Sequence, residues 1–219
     1  MIQAVIFDMD GVLIDTEKYY CRCWKQAFAE FGYEMTDEQA MTTRSLGRPH
    51  APLHYKKMFG DGVDYPAVRK RRQELVEACI RTEGIQRKKG VMELLNFLKD
   101  RGIQTAVATS TDTERTNRCL QLAGLENCFD HLYTAVMVKE GKPSPDVYLY
   151  ACEQLGLPPE ACMAVEDSPN GVLSAWQAGC KVVMVPDLTR PTEEMKPMLY
   201  ACVEDLTRMM ELFEAPGTL

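Results

Sequence analysis

One unit recurs through the second half of the chain, and it constrains the fold more than any single motif. An amphipathic helix runs to a glycine, and a short, wholly apolar segment follows. Helices over about 90–100, 112–123, 145–155 and 169–178 meet Gly102, Gly124, Gly156 and Gly179. The apolar segments are Thr105-Ala-Val-Ala108, a stretch near Leu132-Tyr-Thr-Ala135, Cys162-Met-Ala-Val165 and Lys181-Val-Val-Met-Val185. Glycine in those places supplies the left-handed residue that ends a helix. Strands without polar alternation are buried on both faces, so helices alternating with them predict a parallel sheet covered on both sides. Its crossovers are expected to be right-handed. Ala4-Val-Ile-Phe7 reads as a further strand of this kind. The tail, about 202–214, reads as another amphipathic helix. The expected fold class is α/β, a Rossmann-like three-layer core with a mainly parallel sheet, plus an inserted helical unit.

That unit lies where the repeat is absent. From Thr16, the residues Tyr20, Trp24, Ala27, Phe28 and Phe31 share one helical face, and Gly32 closes the helix. Further helical patterns are broken at Gly47-Arg-Pro49 and Gly60-Asp-Gly62, with no strand among them. The expected division is a core of 1–15 and 87–219 and an α-helical insertion of 16–86. A chain of 219 residues is about one and a half typical domains, which suits a core with an elaboration. The net charge of −7 disfavours nucleic acid as a broad surface partner. The densest basic run, Val68-Arg-Lys-Arg-Arg72, precedes Glu74 and Glu77 and reads as a solvated helix face. Nine cysteines cannot all pair internally, and most lie in apolar segments. Buried, reduced thiols of a cytoplasmic protein are expected. The N-terminal apolar run stops at Asp8, too short for a signal peptide or a membrane span.

In an open parallel sheet, ligands bind beyond the carboxyl ends of the strands. Asp8-Met-Asp10 follows the first strand, Thr109-Ser-Thr111 the second and Glu166-Asp-Ser168 the fourth. Gly141-Lys-Pro-Ser144 lies shortly beyond the third. Acids, hydroxyls and one lysine thus converge on one edge. Asp8 and Asp10, two residues apart in extended chain, point the same way, and ionising both is costly unless a cation intervenes. Carboxylates at 8, 10 and 167 with a backbone carbonyl suit Mg²⁺. No thiol or imidazole is near enough in sequence to favour zinc. Thr111-Asp-Thr-Glu114 reads as a capping box, and Ser144-Pro145 and Ser168-Pro169 read as helix starts. Helix N-termini aimed at this edge favour an anion such as phosphate.

These residues form a set that resembles the four motifs of the haloacid dehalogenase superfamily. The matching segments are Asp8-x-Asp10-Gly-Val-Leu-Ile-Asp-Thr16, Thr109 after an apolar strand, Gly141-Lys-Pro-Ser-Pro-Asp146 and Glu166-Asp-Ser-Pro-Asn-Gly171. They occur in the right order over residues 2 to about 186, and the insertion resembles the family's helical cap. The resemblance implies that Asp8 is a nucleophile forming an aspartyl-phosphate. It implies that Asp10 is the general acid and then the base. Thr109 and the Ser110 amide would hold the phosphoryl group, and Lys142 would neutralise charge between it and Asp8. Asp8, Asp10 and Asp167 would hold Mg²⁺, with Glu166 close by or in the outer shell.

The expected function is Mg²⁺-dependent hydrolysis of a small phosphomonoester, such as a sugar phosphate. The expected partner is that phosphorylated metabolite, with neither nucleic acid nor membrane, and a monomer is compatible with the sequence. A phosphosugar mutase is the alternative. β-Phosphoglucomutases carry His in the Asp-Thr-x-x-x-His pattern, and Tyr20 stands at that place here. A phosphonatase or a non-catalytic binding module is a more distant reading. Within the cap, Arg48 in Ser45-Leu-Gly-Arg-Pro-His50 is the candidate for substrate contact, with Tyr20 beside the hinge.

Overall fold

In the computed structural model, residues 1–214 are described. The chain opens with β1 (Ala4–Phe7), followed by four helices: α1 (Glu17–Glu30), α2 (Asp37–Thr42), α3 (His50–Phe59) and α4 (Tyr65–Glu83). Then come α5 (Val91–Asp100), β2 (Gln104–Thr109), α6 (Thr113–Leu122), β3 (His131–Thr134), α7 (Asp146–Leu155), β4 (Cys162–Glu166), α8 (Pro169–Gln177), β5 (Lys181–Met184), β6 (Leu199–Cys202) and α9 (Leu206–Glu214). The six strands form one sheet in the order β3-β2-β1-β4-β5-β6, every neighbouring pair parallel.

Alternation along β1 shows why the sheet has two covered faces. Val5 and Phe7 pack into one cluster with Leu94, Leu98, Met209 and Phe213 of α5 and α9. Ala4 and Ile6 pack into another with Val147, Tyr148, Val172 and Ala175 of α7 and α8. An apolar residue at every position of the strand therefore has somewhere to go. A third cluster, built on Trp24, Phe28, Tyr55 and Tyr65, lies among α1–α4 and includes no sheet residue. The predicted glycine stops are present: Gly102, Gly124, Gly156 and Gly179 all have positive φ, between 65° and 89°.

Several expectations are corrected. The tail helix begins at Leu206, not near 202, because Leu199–Cys202 forms the edge strand β6. This edge strand is only half-buried, so its sequence lacks the apolar run that marked the others. Asp112, not Thr111, caps α6, accepting from the Arg115 amide. Helix α7 starts one residue later than expected, and Ser144 donates to the Asp146 carboxylate instead of capping. Ser168 does cap α8, accepting from the Gly171 amide. Phe31 is exposed, one residue past the end of α1. The basic run is not wholly solvated: Arg71 pairs with Glu30 and Glu74 at the surface, but Arg72 is buried against Tyr20 and Trp24. No described helix is long and apolar enough to cross a membrane.

Asp205 ties the C-terminal helix to the start of α5. Its Oδ2 accepts from Lys89 Nζ at 2.7 Å and its Oδ1 from the Thr207 amide at 2.9 Å. The Lys89 and Thr207 bonds hold its carboxyl at about 2, below the ordinary 3.8. A depressed carboxyl stabilises the fold above its unfolded value and ceases to do so as pH falls through its folded value. Asp205→Ala is expected to cost about 1 kcal/mol at neutral pH. In urea melts the difference from wild type should shrink between pH 3.8 and about 2. A pH-independent difference would contradict this account.

Candidate active site

The strand order reverses at β1, whose neighbours are β2 and β4. Such a switch point opens a crevice at the strands' carboxyl ends. Asp8 and Asp10 leave β1 there, Thr109 ends β2, and Glu166 and Asp167 end β4. All five side chains are buried. Lys142 reaches the same point from the loop before α7 and is fully buried. Its Nζ donates to Asp8 Oδ1 and Glu166 Oε1, both at 2.6 Å, and to the Ala108 carbonyl at 2.9 Å. Burial disfavours the ammonium, but Asp8 and Glu166 outweigh it and raise its pKa. Glu166 is fixed further by Tyr148, whose hydroxyl donates to Oε1 at 2.7 Å, and by the Asp167 amide on Oε2 at 3.2 Å.

Asp10 accepts from the Thr16 hydroxyl on Oδ1 and from the Thr111 hydroxyl on Oδ2 at 3.1 Å. These two bonds fix the carboxylate plane from opposite sides. Thr109 Oγ1 accepts from the Thr111 amide at 3.1 Å, closing the turn after β2. Gly11, at φ 85°, lets the turn after β1 press against Asp167: a Cβ there would land on the Asp167 carboxylate. Both the positive φ and the close approach require glycine.

The charge balance is one-sided. Asp8, Asp10, Glu17, Glu166 and Asp167 are buried together, and among the described residues Lys142 and Arg44 are the cations that form ion pairs with them. Burial pushes the Asp8 carboxyl up to about 8 against the pull of Lys142, and raises Asp167 against the pull of Arg44. A metal-sized group is formed by Asp8, Glu166 and Asp167, with one carboxylate oxygen of each lying within 4.8 Å of the others. Asp167 Oδ1 is buried with no hydrogen-bond partner. An all-oxygen donor set with an orphaned carboxylate oxygen and excess negative charge fits a hard divalent cation such as Mg²⁺.

Above the crevice, the segment between α2 and α3 lies across the core. Arg44 is buried, pairing with Asp167 and with Glu17 Oε2 at 2.9 Å, and donating to Thr189 Oγ1 at 2.7 Å. Asn170 Nδ2 donates to the Arg44 carbonyl at 2.8 Å, and Ser110 Oγ to the Ser45 carbonyl at 2.9 Å. Ser45 adopts a left-handed conformation, φ 54°, costly for a residue with a side chain. A cavity of about 530 Å³ remains between this segment, the helices and the strand ends. Asp8, Asp10, Thr109 and Ser110 line its floor; Trp24, Tyr55, Tyr65, Arg48, Arg69 and Arg72 line its far side.

Of the residues singled out in the sequence, Asp8, Asp10, Thr109, Lys142, Glu166 and Asp167 meet at one point. Ser110 is at the cavity wall, with its hydroxyl committed to Ser45. Arg48 is exposed at the cavity rim, and Tyr20 lines the cavity between the guanidinium groups of Arg72 and Arg115, at 5.1 and 5.2 Å. Arg44, Glu17, Thr16 and Arg72 were not anticipated. Arg44 stands four residues before Arg48, and Glu17 directly follows the first motif, but burial of a charge depends on what packs over it. Arg72 has an unpartnered Nε and no acidic partner within ion-pair distance among the described residues.

A family model for haloacid dehalogenase-like hydrolase matches residues 2–179. Hexitol phosphatase A of Escherichia coli (strain K12) is 35% identical over 183 residues, covering 84% of this chain and 82% of that protein. The phosphorylated carbohydrates phosphatase of Thermotoga maritima is 34% identical over 182 residues, covering 81% and 82%. The crystal structure of CbbY from Rhodobacter sphaeroides in complex with phosphate superposes with a TM-score of 0.79 at 28% identity, over 95% of this chain and 96% of that one.

Proposed function

The chain belongs to the haloacid dehalogenase-like hydrolases and is a phosphoric monoester hydrolase, and on that premise we propose that it cleaves small phosphorylated carbohydrates with the help of Mg²⁺. The observation that supports this reading best is the meeting of Asp8, Asp10, Lys142 and Asp167 at the strand-order reversal, beside a cavity lined by both charged and aromatic side chains. The proposed organisation is a core of 1–15 and 87–219 with residues 16–86 as its cap.

An Asp8 oxygen attacks phosphorus, and the bond to the leaving oxygen breaks as Asp10 donates a proton to it. Asp10 then takes a proton from the water that attacks the aspartyl-phosphate, which releases inorganic phosphate and restores Asp8. Thr16 and Thr111 hold Asp10 in the orientation both steps need. Lys142 balances charge on Asp8 and the phosphoryl oxygens, Thr109 and the Ser110 amide hold that group, and Glu166 and Tyr148 keep Lys142 extended. Asp8, Asp167 Oδ1 and the Asp10 carbonyl would hold the cation, with Glu166 orienting from behind because both its oxygens already accept hydrogen bonds. When bound, it supplies positive charge to the phosphoryl group. The cap excludes water and presents Arg48, Arg69, Arg72 and the aromatic wall to the remainder of the substrate.

The test is a panel of sugar, polyol and nucleoside monophosphates, assayed for inorganic phosphate with Mg²⁺ and with EDTA. Release of phosphate from carbohydrate esters, abolished by EDTA and restored by Mg²⁺, is expected. An inactive protein across the panel, or undiminished turnover in EDTA, would overturn the reading. Phosphate moved within a sugar, with none set free, would assign a mutase.

A further inference from the structure

The cap and the core meet backbone to backbone at two glycines. Gly47, in the segment between α2 and α3, donates its amide to the Lys142 carbonyl at 2.8 Å. Gly141 donates its amide to the Arg48 carbonyl at 2.6 Å. The two bonds run in opposite directions and join segments almost a hundred residues apart in sequence. A Cβ on Gly47 would lie 2.6 Å from Gly141 Cα and 3.1 Å from the Lys142 amide nitrogen. A Cβ on Gly141 would lie 2.8 Å from Gly47 Cα. The atoms met are backbone, which cannot rotate aside. Neither glycine has a positive φ, so the close approach of the opposing chain, not a left-handed backbone, is what calls for glycine at both positions.

One side of this contact is the main chain of Lys142, whose ammonium touches Asp8, Glu166 and Ala108. The side chain of Lys142 is held from the core and its carbonyl from the cap, while the Ser144 amide on the Gly141 carbonyl and Ser174 on the Ser144 carbonyl hold the rest of the turn within the core. The adjoining bonds, Ser110 to Ser45 and Asn170 to Arg44, end on the cap segment without touching Lys142.

We propose that Gly47 and Gly141 are positioning residues: their backbone contact completes the fixing of the turn bearing Lys142 when the cap is docked, and so couples docking to placement of the charge beside the nucleophile. The inference rests on the reading of Lys142 and Asp8 given above, and adds to it the part played by the glycines. Misplacing a catalytic group by about 1 Å can cost on the order of a hundredfold in rate, so the coupling makes the undocked enzyme slow.

The full chain with Gly47→Ala, compared with Gly62→Ala, tests this. Gly62 is also in the insertion, has no positive φ, and a Cβ there would meet nothing nearer than the Tyr33 hydroxyl at 3.9 Å. Hydrogen–deuterium exchange is followed in peptides covering 44–48 and 139–143, together with Tm and the steady-state constants on the best ester of the panel. Gly47→Ala should speed exchange in those two peptides by about tenfold or more, which corresponds to about 1.4 kcal/mol of docking free energy. It should lower kcat about 10- to 100-fold with a much smaller change in KM, leave Tm within a few degrees, and Gly62→Ala should do none of this. Unchanged exchange and kcat in Gly47→Ala would overturn the proposal, as would faster exchange throughout the chain with a large loss of Tm. Gly141→Ala repeats the test from the core side. If wild type hydrolysed no ester, the functional reading would fail, while the exchange data would still decide whether the glycine contact governs docking.

Discussion

Asp8→Asn should abolish phosphate release while leaving the protein folded. On the proposed mechanism the amide cannot form the acyl-phosphate bond, and loss of a nucleophile that acts as a unit with its acid typically costs at least about 10⁴-fold in kcat. Folding should survive because the substitution removes a buried negative charge that Glu166 and Asp10 oppose. Lys142 keeps Glu166 Oε1 and the Ala108 carbonyl as partners. A Tm equal to or above that of wild type, together with undetectable turnover, is the expected pair of results. Asp8→Asn with turnover within about tenfold of wild type would mean that the phosphoryl group is never carried by Asp8.

Lys142→Met should damage both turnover and stability. The ammonium is the only cation among the described residues that touches both Asp8 and Glu166, and both carboxylates are buried. Breaking a buried ion pair by removing one partner leaves an uncompensated charge and costs about 3–5 kcal/mol. For a chain of this size that is roughly a 6–20 °C fall in Tm. Lys142→Met combined with Glu166→Gln removes one of the stranded charges and should recover part of the lost stability, with no recovery of turnover. That pattern separates the structural role of the lysine from its proposed role in turnover beside Asp8. If the single variant melted like wild type, the buried triad would not hold these charges as described.

What could be read from the sequence follows from where physical constraints are local. β1, β2, β4 and β5 are legible because a strand buried on both faces must be apolar throughout, and the acids and hydroxyls that end these strands are conspicuous by contrast. Asp8, Asp10, Thr109, Lys142, Glu166 and Asp167 were therefore identifiable before any contact was known. β6 was missed because a half-buried edge strand needs no such run. Helix starts shifted by a residue or two, since Asp112 and Thr111 are both chemically able to cap and only the backbone decides between them. Arg44 and Arg72 look like any surface arginine in sequence. Arg44 becomes the counter-charge of Asp167 and Glu17 only when the insertion folds over the core, and Arg72 is enclosed by aromatic rings of its own unit and the arginine beside them. The Gly47–Gly141 contact has no sequence signal, because a glycine selected for close approach looks the same as one selected for a turn.

The position of β1 in the sheet has a consequence for how the chain is made. It is synthesised before the other five strands, yet it lies in the interior of the sheet: Ala4 pairs with Gln104 on one side and with Cys162 on the other. Its first partner emerges only after about a hundred further residues, at roughly 5–20 residues per second, and its second comes later still. During those seconds Ala4-Val-Ile-Phe7 is an apolar segment with no sheet to join, while α1–α4 can already gather around Trp24 and Phe28. The nascent chain thus carries Asp8 well before Thr109, Lys142, Glu166 and Asp167, and cannot assemble the cluster until β4 has been synthesised. Truncation before residue 167 should yield chains without activity that depend on chaperones to remain soluble.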